Sequence, residues 1–297
     1  MKRPSCGIAF LMAVWCFLGV ALHAQNAAPA APGMVAAPVS VPYSPPALTN
    51  VLGTTFVNWD SMPVQTTSFG ETRAVFNNPT PTLGKLEVHV TTLAPGMVSH
   101  AVQHQPWEEI LVIKEGEVEV SINGQARHAG PGCMIFFASH DAHNVRNAGE
   151  KPAVYYAINF YTDLVQTVPD KPAAEQAAPG KLPSKVIDCN SLPVTVTRTG
   201  STINILDSAT LTFQSLGSHI TTLNAGQSTR SEMVDSGDEV FILKSGLLEA
   251  TVNGVTSRIK EGSVFYCAPN DKRTFRNIGA TPAAYQVIKV VSDKTPK

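Results

Sequence analysis

The chain has 297 residues, 43% of them hydrophobic and only 15% charged, with a formal charge of −1. That length allows two ordinary domains, each burying its own core, and a near-neutral balance without a Lys/Arg stripe excludes an electrostatic nucleic-acid binder. Small molecules are the expected partners, and Ser, Thr, Asn and Gln must supply much of the polar surface.

The N-terminus reads as an export signal over residues 1–24. Lys2 and Arg3 precede an apolar stretch from Gly7 to Leu22, and Ala24-Gln25 offers a cleavage point. The stretch is short for a membrane span. The expectation is a periplasmic or secreted protein with no stable membrane insertion once the signal is removed, although Leu22 three residues before the cut leaves a retained anchor open. Residues 25–50, rich in Ala and Pro, read as an extended, weakly ordered leader.

From residue 51 the pattern is β. Leu86-Glu87-Val88-His89-Val90 and Glu117 through Ile122 alternate with period two, and no stretch holds a helical apolar repeat. Asn123-Gly124 lies between alternating runs, where a two-residue hairpin needs φ > 0 twice. Gly132 opens the run Met134-Ile135-Phe136-Phe137. Short strands with frequent turns predict an all-β sandwich or barrel over residues 51–165. A second Ala/Pro-rich stretch, 166–185, reads as a linker of the same kind as the leader.

Residues 186–292 then repeat the first unit at an offset of 130. Thr91-Thr92-Leu93-Ala94-Pro95-Gly96 returns as Thr221-Thr222-Leu223-Asn224-Ala225-Gly226, Glu109 as Glu239, Asn123-Gly124 as Asn253-Gly254, and Arg146-Asn147 as Arg276-Asn277. This is an internal duplication in constant register. His143, however, becomes Arg273. The copies share a scaffold and cannot share a chemistry.

Both copies resemble cupin domains. The family's second motif is met in the first copy by Gly132, His143 and Asn147, with Ala138 and His140 where the family carries Pro and Gly; its first motif runs from Gly96 through Gln103-His104-Gln105-Pro106-Trp107-Glu108-Glu109 to Gly116. The resemblance spans about residues 55–165 and 186–292. It implies two tandem jelly-roll (double-stranded β-helix) barrels, the first able to hold one divalent metal ion, Mn or Fe, and the second, degenerate, holding none. It also allows a homodimer through sheet edges.

Two registers through the first motif stay open. In one, Gln103 and Gln105 take the places of the family's paired histidines, and Glu109 and His143 are the strong ligands that remain. In the other, His104 joins Glu109 and His143 as a two-His-one-carboxylate set, with His100 on the same face if the strand is regular. Alternation forbids both at once.

Trp107 and His100 are candidate substrate contacts. Asn147 and Asn277 read as turn residues, while His128 and His140 read as solvent-facing. In the second copy Arg230 and Arg273 could meet Asp235 and Glu239, either as an anion site or as an ion-pair network. Cys133, Cys189 and Cys267 form one disulfide at most. Two functions follow: an exported bicupin binding a small polar molecule beside a weak metal site, or a metal-dependent oxygenase, isomerase or aminohydrolase.

Overall fold

A computed structural model describes residues 38–42, 50–176, 180–229 and 232–297. The export signal and Arg230 lie outside the described residues. Each repeat folds into a barrel of antiparallel strands.

In the first barrel one sheet runs, in spatial order, Lys185–Asp188, Cys133–Phe137, Glu108–Glu115, Ala153–Tyr161, Lys85–Leu93, Gly70–Asn78 and Val64–Thr67. The facing sheet runs Val39–Ser40, Gln103–His104, His143–Asn147, Val118–Ile122 and Gln125–Ala129. The second barrel repeats the large sheet, with Thr55–Val57 on Val264–Cys267 at its edge. Thus the first strand of each repeat, 55–57 or 185–188, joins the other repeat's sheet. The reciprocal exchange covers edges that would otherwise be open to pairing with other chains.

Strand alternation explains why the central strands read as almost continuous apolar runs. Along Glu108–Glu115, Leu111 and Ile113 point into their own barrel while Ile110 and Val112 point at the other one. The same holds for Phe137 against Phe136 and for Leu93 against Leu86, Val88 and Val90. The inward sets form one core per barrel. The outward sets meet Leu216, Ile220, Val240, Ile242 and Ile288 in a third core between the two large sheets. Truncating Ile110, fully buried there, costs about 2–5 kcal/mol.

Two buried carboxylates lock that interface with pseudo-twofold symmetry. Glu108 accepts hydrogen bonds from the Thr210 hydroxyl at 2.6 Å, the Thr212 hydroxyl at 2.9 Å and the Leu211 amide at 3.1 Å. Its counterpart Asp238 accepts from the Thr82 and Tyr266 hydroxyls. Burial pushes the Glu108 carboxyl up to about 7 against the pull of these donors, and raises Asp238 likewise.

Turn chemistry follows the repeat. Asn123-Gly124 and Asn253-Gly254 all have positive φ, as the tight hairpins require. Asn147 Nδ2 donates to the Leu93 and Lys151 carbonyls and its oxygen accepts from the Gly149 amide; Asn277 repeats the set with Leu223, Thr281 and Gly279. These asparagines close turns.

Three expectations need correction. Val39–Ser40 of the leader is a strand, parallel to Gln103–His104, because that short strand otherwise shows an open edge. The linker is fastened to the first barrel: the Asp141 carboxylate accepts from the Ala173 amide and the Ser184 hydroxyl, both at 2.6 Å. His140 is buried rather than solvent-facing, on a residue with φ of 63° whose amide donates to the Gln105 carbonyl. The three described cysteines are free and buried. Cys133 belongs to the first barrel's core, and Cys189, in the 3-10 turn after Lys185–Asp188, to the core between barrels.

Candidate functional site

The first barrel encloses a cavity of about 230 Å³ lined by Glu109, His143, Gln103, Gln105, His100, Glu87, His89 and Trp107, among others. Glu87, His89 and Thr91 enter from one strand at alternate positions, and Glu109 and Leu111 from another. Gln103 pairs directly with His143, which turns both side chains to the same face.

The glutamine arrangement is the one adopted. Gln103 Nε2 donates to Gln105 Oε1 at 3.3 Å, and Gln105 Nε2 donates to Glu109 Oε2 at 3.2 Å. His104, one residue out of phase, faces away from Glu109 and His143 and lies against His140 and Asp170. The expected His104, Glu109 and His143 set is therefore not formed. His100 is separated from His104 as well: residues 99–102 bend instead of forming a regular strand, so its ring enters the cavity and meets His143 edge-on at 5.9 Å.

His143 is the best-oriented group. Its ring stacks on Phe137 with centroids 4.0 Å apart, and Nδ1 lies 2.9 Å from the Asp141 carbonyl, which holds the proton there. That leaves Nε2 to face Glu109 across the cavity. It is buried without a hydrogen-bond partner and lies 3.3 Å from Glu109 Oε2. An imidazole nitrogen and a carboxylate oxygen held face to face share either a proton or a cation. Burial alone would raise the Glu109 carboxyl, but His143, then His100 and His89, outweigh it and hold it below its usual value.

Tested against a divalent ion, the donors fit in part. His143 Nε2 and Glu109 are strong ligands, the amide oxygens of Gln103 and Gln105 are weak ones, and His100 has its Nδ1 engaged by the Ala101 carbonyl.

The outer wall is polar too. Glu87 accepts from Lys85 at 3.1 Å and Tyr161 at 3.3 Å and faces His89. His89, then Lys85, outweigh the effect of burial and lower the Glu87 carboxyl to about 2. Trp107 is packed on Tyr161, with centroids 4.6 Å apart, and its indole N–H donates to Asn159 at 3.0 Å. It offers a ligand its ring rather than its N–H. Sequence reasoning missed Glu87, His89 and Asn159. The signal for the first two was present in the alternating run 86–90, read there only as a strand.

The second barrel answers the same carboxylate differently. Glu239 is paired with the buried Arg273 guanidinium, and Lys289 with Asp235 at 2.8 Å. Burial pushes Glu239 up while Arg273 draws it back. The cation facing the repeated carboxylate is here a side chain of the protein itself. A wider cavity of about 540 Å³ beside it is lined by His219, Asp235, Glu239 and Lys289.

A family model described as cupin domain matches residues 89–159 and again 219–289, the two segments standing at the repeat offset. No curated protein sequence matches the chain. Among solved structures the fold is similar to the putative glyoxylate induced protein from Pseudomonas aeruginosa, at 15% identity and TM-score 0.64, covering 85% of this chain and 94% of that one. It is also similar to Lactobacillus farciminis oxalate decarboxylase in its formate complex, at 13% identity and TM-score 0.62 (82% and 88% covered). Bacillus subtilis oxalate decarboxylase, studied for its Mn(II) centers, aligns at 14% identity and TM-score 0.61 (84% and 80%). At such identities the likeness is one of fold. The duplication, the exchanged sheet edges and the double match have a single explanation: the chain belongs to the cupin family and is a bicupin, carrying both barrels in one polypeptide.

Proposed function

We propose that this bicupin is exported and binds a small polar molecule in its first barrel, beside a weak metal site made by His143 and Glu109. The observation that carries the reading is the contrast between copies. One scaffold holds an imidazole facing a carboxylate at a polar cavity in the first barrel, and a self-neutralised Arg273–Glu239 pair in the second. The volume, about 230 Å³, falls below the usual 300–1,000 Å³ of drug-sized pockets, which favours a compact metabolite. The amides of Gln103 and Gln105 both donate and accept, and Glu87 and Glu109 add negative charge. Neutral hydroxylated molecules and cations suit that lining better than a free dicarboxylate.

The second reading is a metal-dependent enzyme, an oxygenase, isomerase or aminohydrolase. It is favoured by the orientation of His143 Nε2 and by the Mn(II) centers of the oxalate decarboxylase of like fold. Here His143 and Glu109 would hold Mn or Fe with help from Gln103 or Gln105, and a bound ion would supply Lewis-acid polarisation.

Metal analysis of the chain purified without added metal or chelator, beside His143→Ala and Glu109→Ala, separates the two. Near one equivalent of Mn or Fe in the barrel, lost in both variants, supports the enzyme. No barrel metal after incubation with Mn²⁺ and Fe²⁺, together with thermal stabilisation by small polyols or sugars that the variants lose, supports the binding protein. Neither metal nor ligand stabilisation would end the proposal. Export is tested by the N-terminal residue of the protein recovered outside the cytoplasm, expected at Gln25. A homodimer through the exposed edge strands Val64–Thr67 or Thr195–Thr197, which show Val64 and Val196 to solvent, is tested by light scattering.

A further inference from the structure

Outside the barrel cavity, three potential ligands meet where the linker crosses the first barrel. His104 Nδ1 lies 3.2 Å from Asp170 Oδ1, and His140 Nδ1 lies 3.0 Å from the same oxygen. One ligand atom from each residue falls within 4.8 Å of the other two. His104 comes from the short strand beside the cavity, His140 from the turn after Cys133–Phe137, and Asp170 from the linker. We propose that His104, His140 and Asp170 bind one divalent transition-metal ion, Zn²⁺ by the chemistry of the set, and that this ion clasps the linker to the first barrel.

Three features carry the assignment. His140 is only 8% exposed; its Nδ1 stands 3.0 Å from Asp170 Oδ1 without good hydrogen-bond geometry, and its Nε2 is buried with no hydrogen-bond partner. A buried imidazole left so is costly as a core residue, yet suited to donate a lone pair. Second, ligand atoms of a tetrahedral ion at about 2.0–2.1 Å stand about 3.3 Å apart, the separation His104 and His140 already keep from Asp170. Third, two imidazoles and a carboxylate, with Asp170 65% exposed at the rim, give three protein ligands and an open way in from solvent.

His104 outward and Gln103 with Gln105 inward are alternate positions of one strand, so an ion on His104 also fixes the phase that delivers both glutamines to the cavity.

The test is Zn²⁺ titration of the intact, untagged, chelator-stripped chain by calorimetry, beside His104→Gln, Asp170→Asn and His143→Gln, with circular dichroism to verify folding. One bound equivalent is expected to survive H143Q and to weaken at least tenfold in H104Q and in D170N. Zn²⁺ is also expected to slow proteolytic cutting between the barrels in the parent and not in D170N. The proposal is overturned if folded H104Q and D170N bind Zn²⁺ like the parent, if H143Q removes all binding, or if the parent binds none.

Discussion

The most direct physical test of the inter-barrel interface is the pH dependence carried by Glu108. Its carboxyl is fully buried and raised from 4.5 to about 7. Between those values the native chain keeps a proton that the unfolded chain has released. Stability therefore falls as pH rises from about 4.5 to 7, and Glu108 adds no further slope above that. At about 1.36 kcal/mol per pH unit the loss is about 3 kcal/mol, of the same order as one core truncation. Replacing Glu108 by Gln removes the titration. It also sets an amide donor against the Leu211 N–H or the Thr210 and Thr212 hydroxyls, at a cost of about 1–3 kcal/mol in acid. Urea unfolding at intervals from about pH 5 to 8 gives both curves, and their difference isolates Glu108 from the other titrating groups. The variant is expected to be weaker near pH 5 and to equal or exceed the parent near pH 8. A difference that stays constant across the range would refute the buried, proton-holding Glu108.

Other outcomes follow from the same contacts. Arg273→Ala strands Glu239 in the second barrel and is expected to cost about 3–5 kcal/mol near neutral pH, less in acid where Glu239 can take a proton; thermal melts at two pH values check this. Glu87→Gln is expected to flatten the loss of stability below about pH 4.5, since the lowered Glu87 stabilises the fold only while ionised and loses that as pH falls toward 2; acid titration of the circular dichroism signal measures it. Gly116→Ala places a Cβ 2.6 Å from the Pro152 carbonyl at a φ of 72°, so soluble yield and urea midpoint should both drop, whereas Gly124→Ala, with open space around it, pays only its left-handed φ, about 1–2 kcal/mol.

How much of this was legible beforehand can be judged residue by residue. The offset of 130, the Asn-Gly hairpins, the turn asparagines and the replacement of His143 by Arg273 are local or self-comparative facts. They fixed the β class, the duplication and the copy in which an imidazole faces the repeated carboxylate. Glu109 and His143 were singled out that way, because a motif spacing survives in one dimension, and the fold sets them 3.3 Å apart.

What stayed open needed three dimensions. Alternation said that Gln103 and His104 face opposite ways, yet only the pairing of Gln103 with His143 decided which one enters the barrel. His100 joined the cavity through an irregular segment that no periodicity could predict. Glu87 and His89 look like the polar face of any half-exposed strand until a second barrel covers the apolar face and turns the polar one inward. His140 looked exposed because it sits in a turn, and became buried because Asp170, thirty residues away, folds over it. Sequence determines what each side chain can do and how often it recurs. Which faces are covered, and by which distant segment, is settled only when the sheets pack, because burial is a property of the neighbour as much as of the residue.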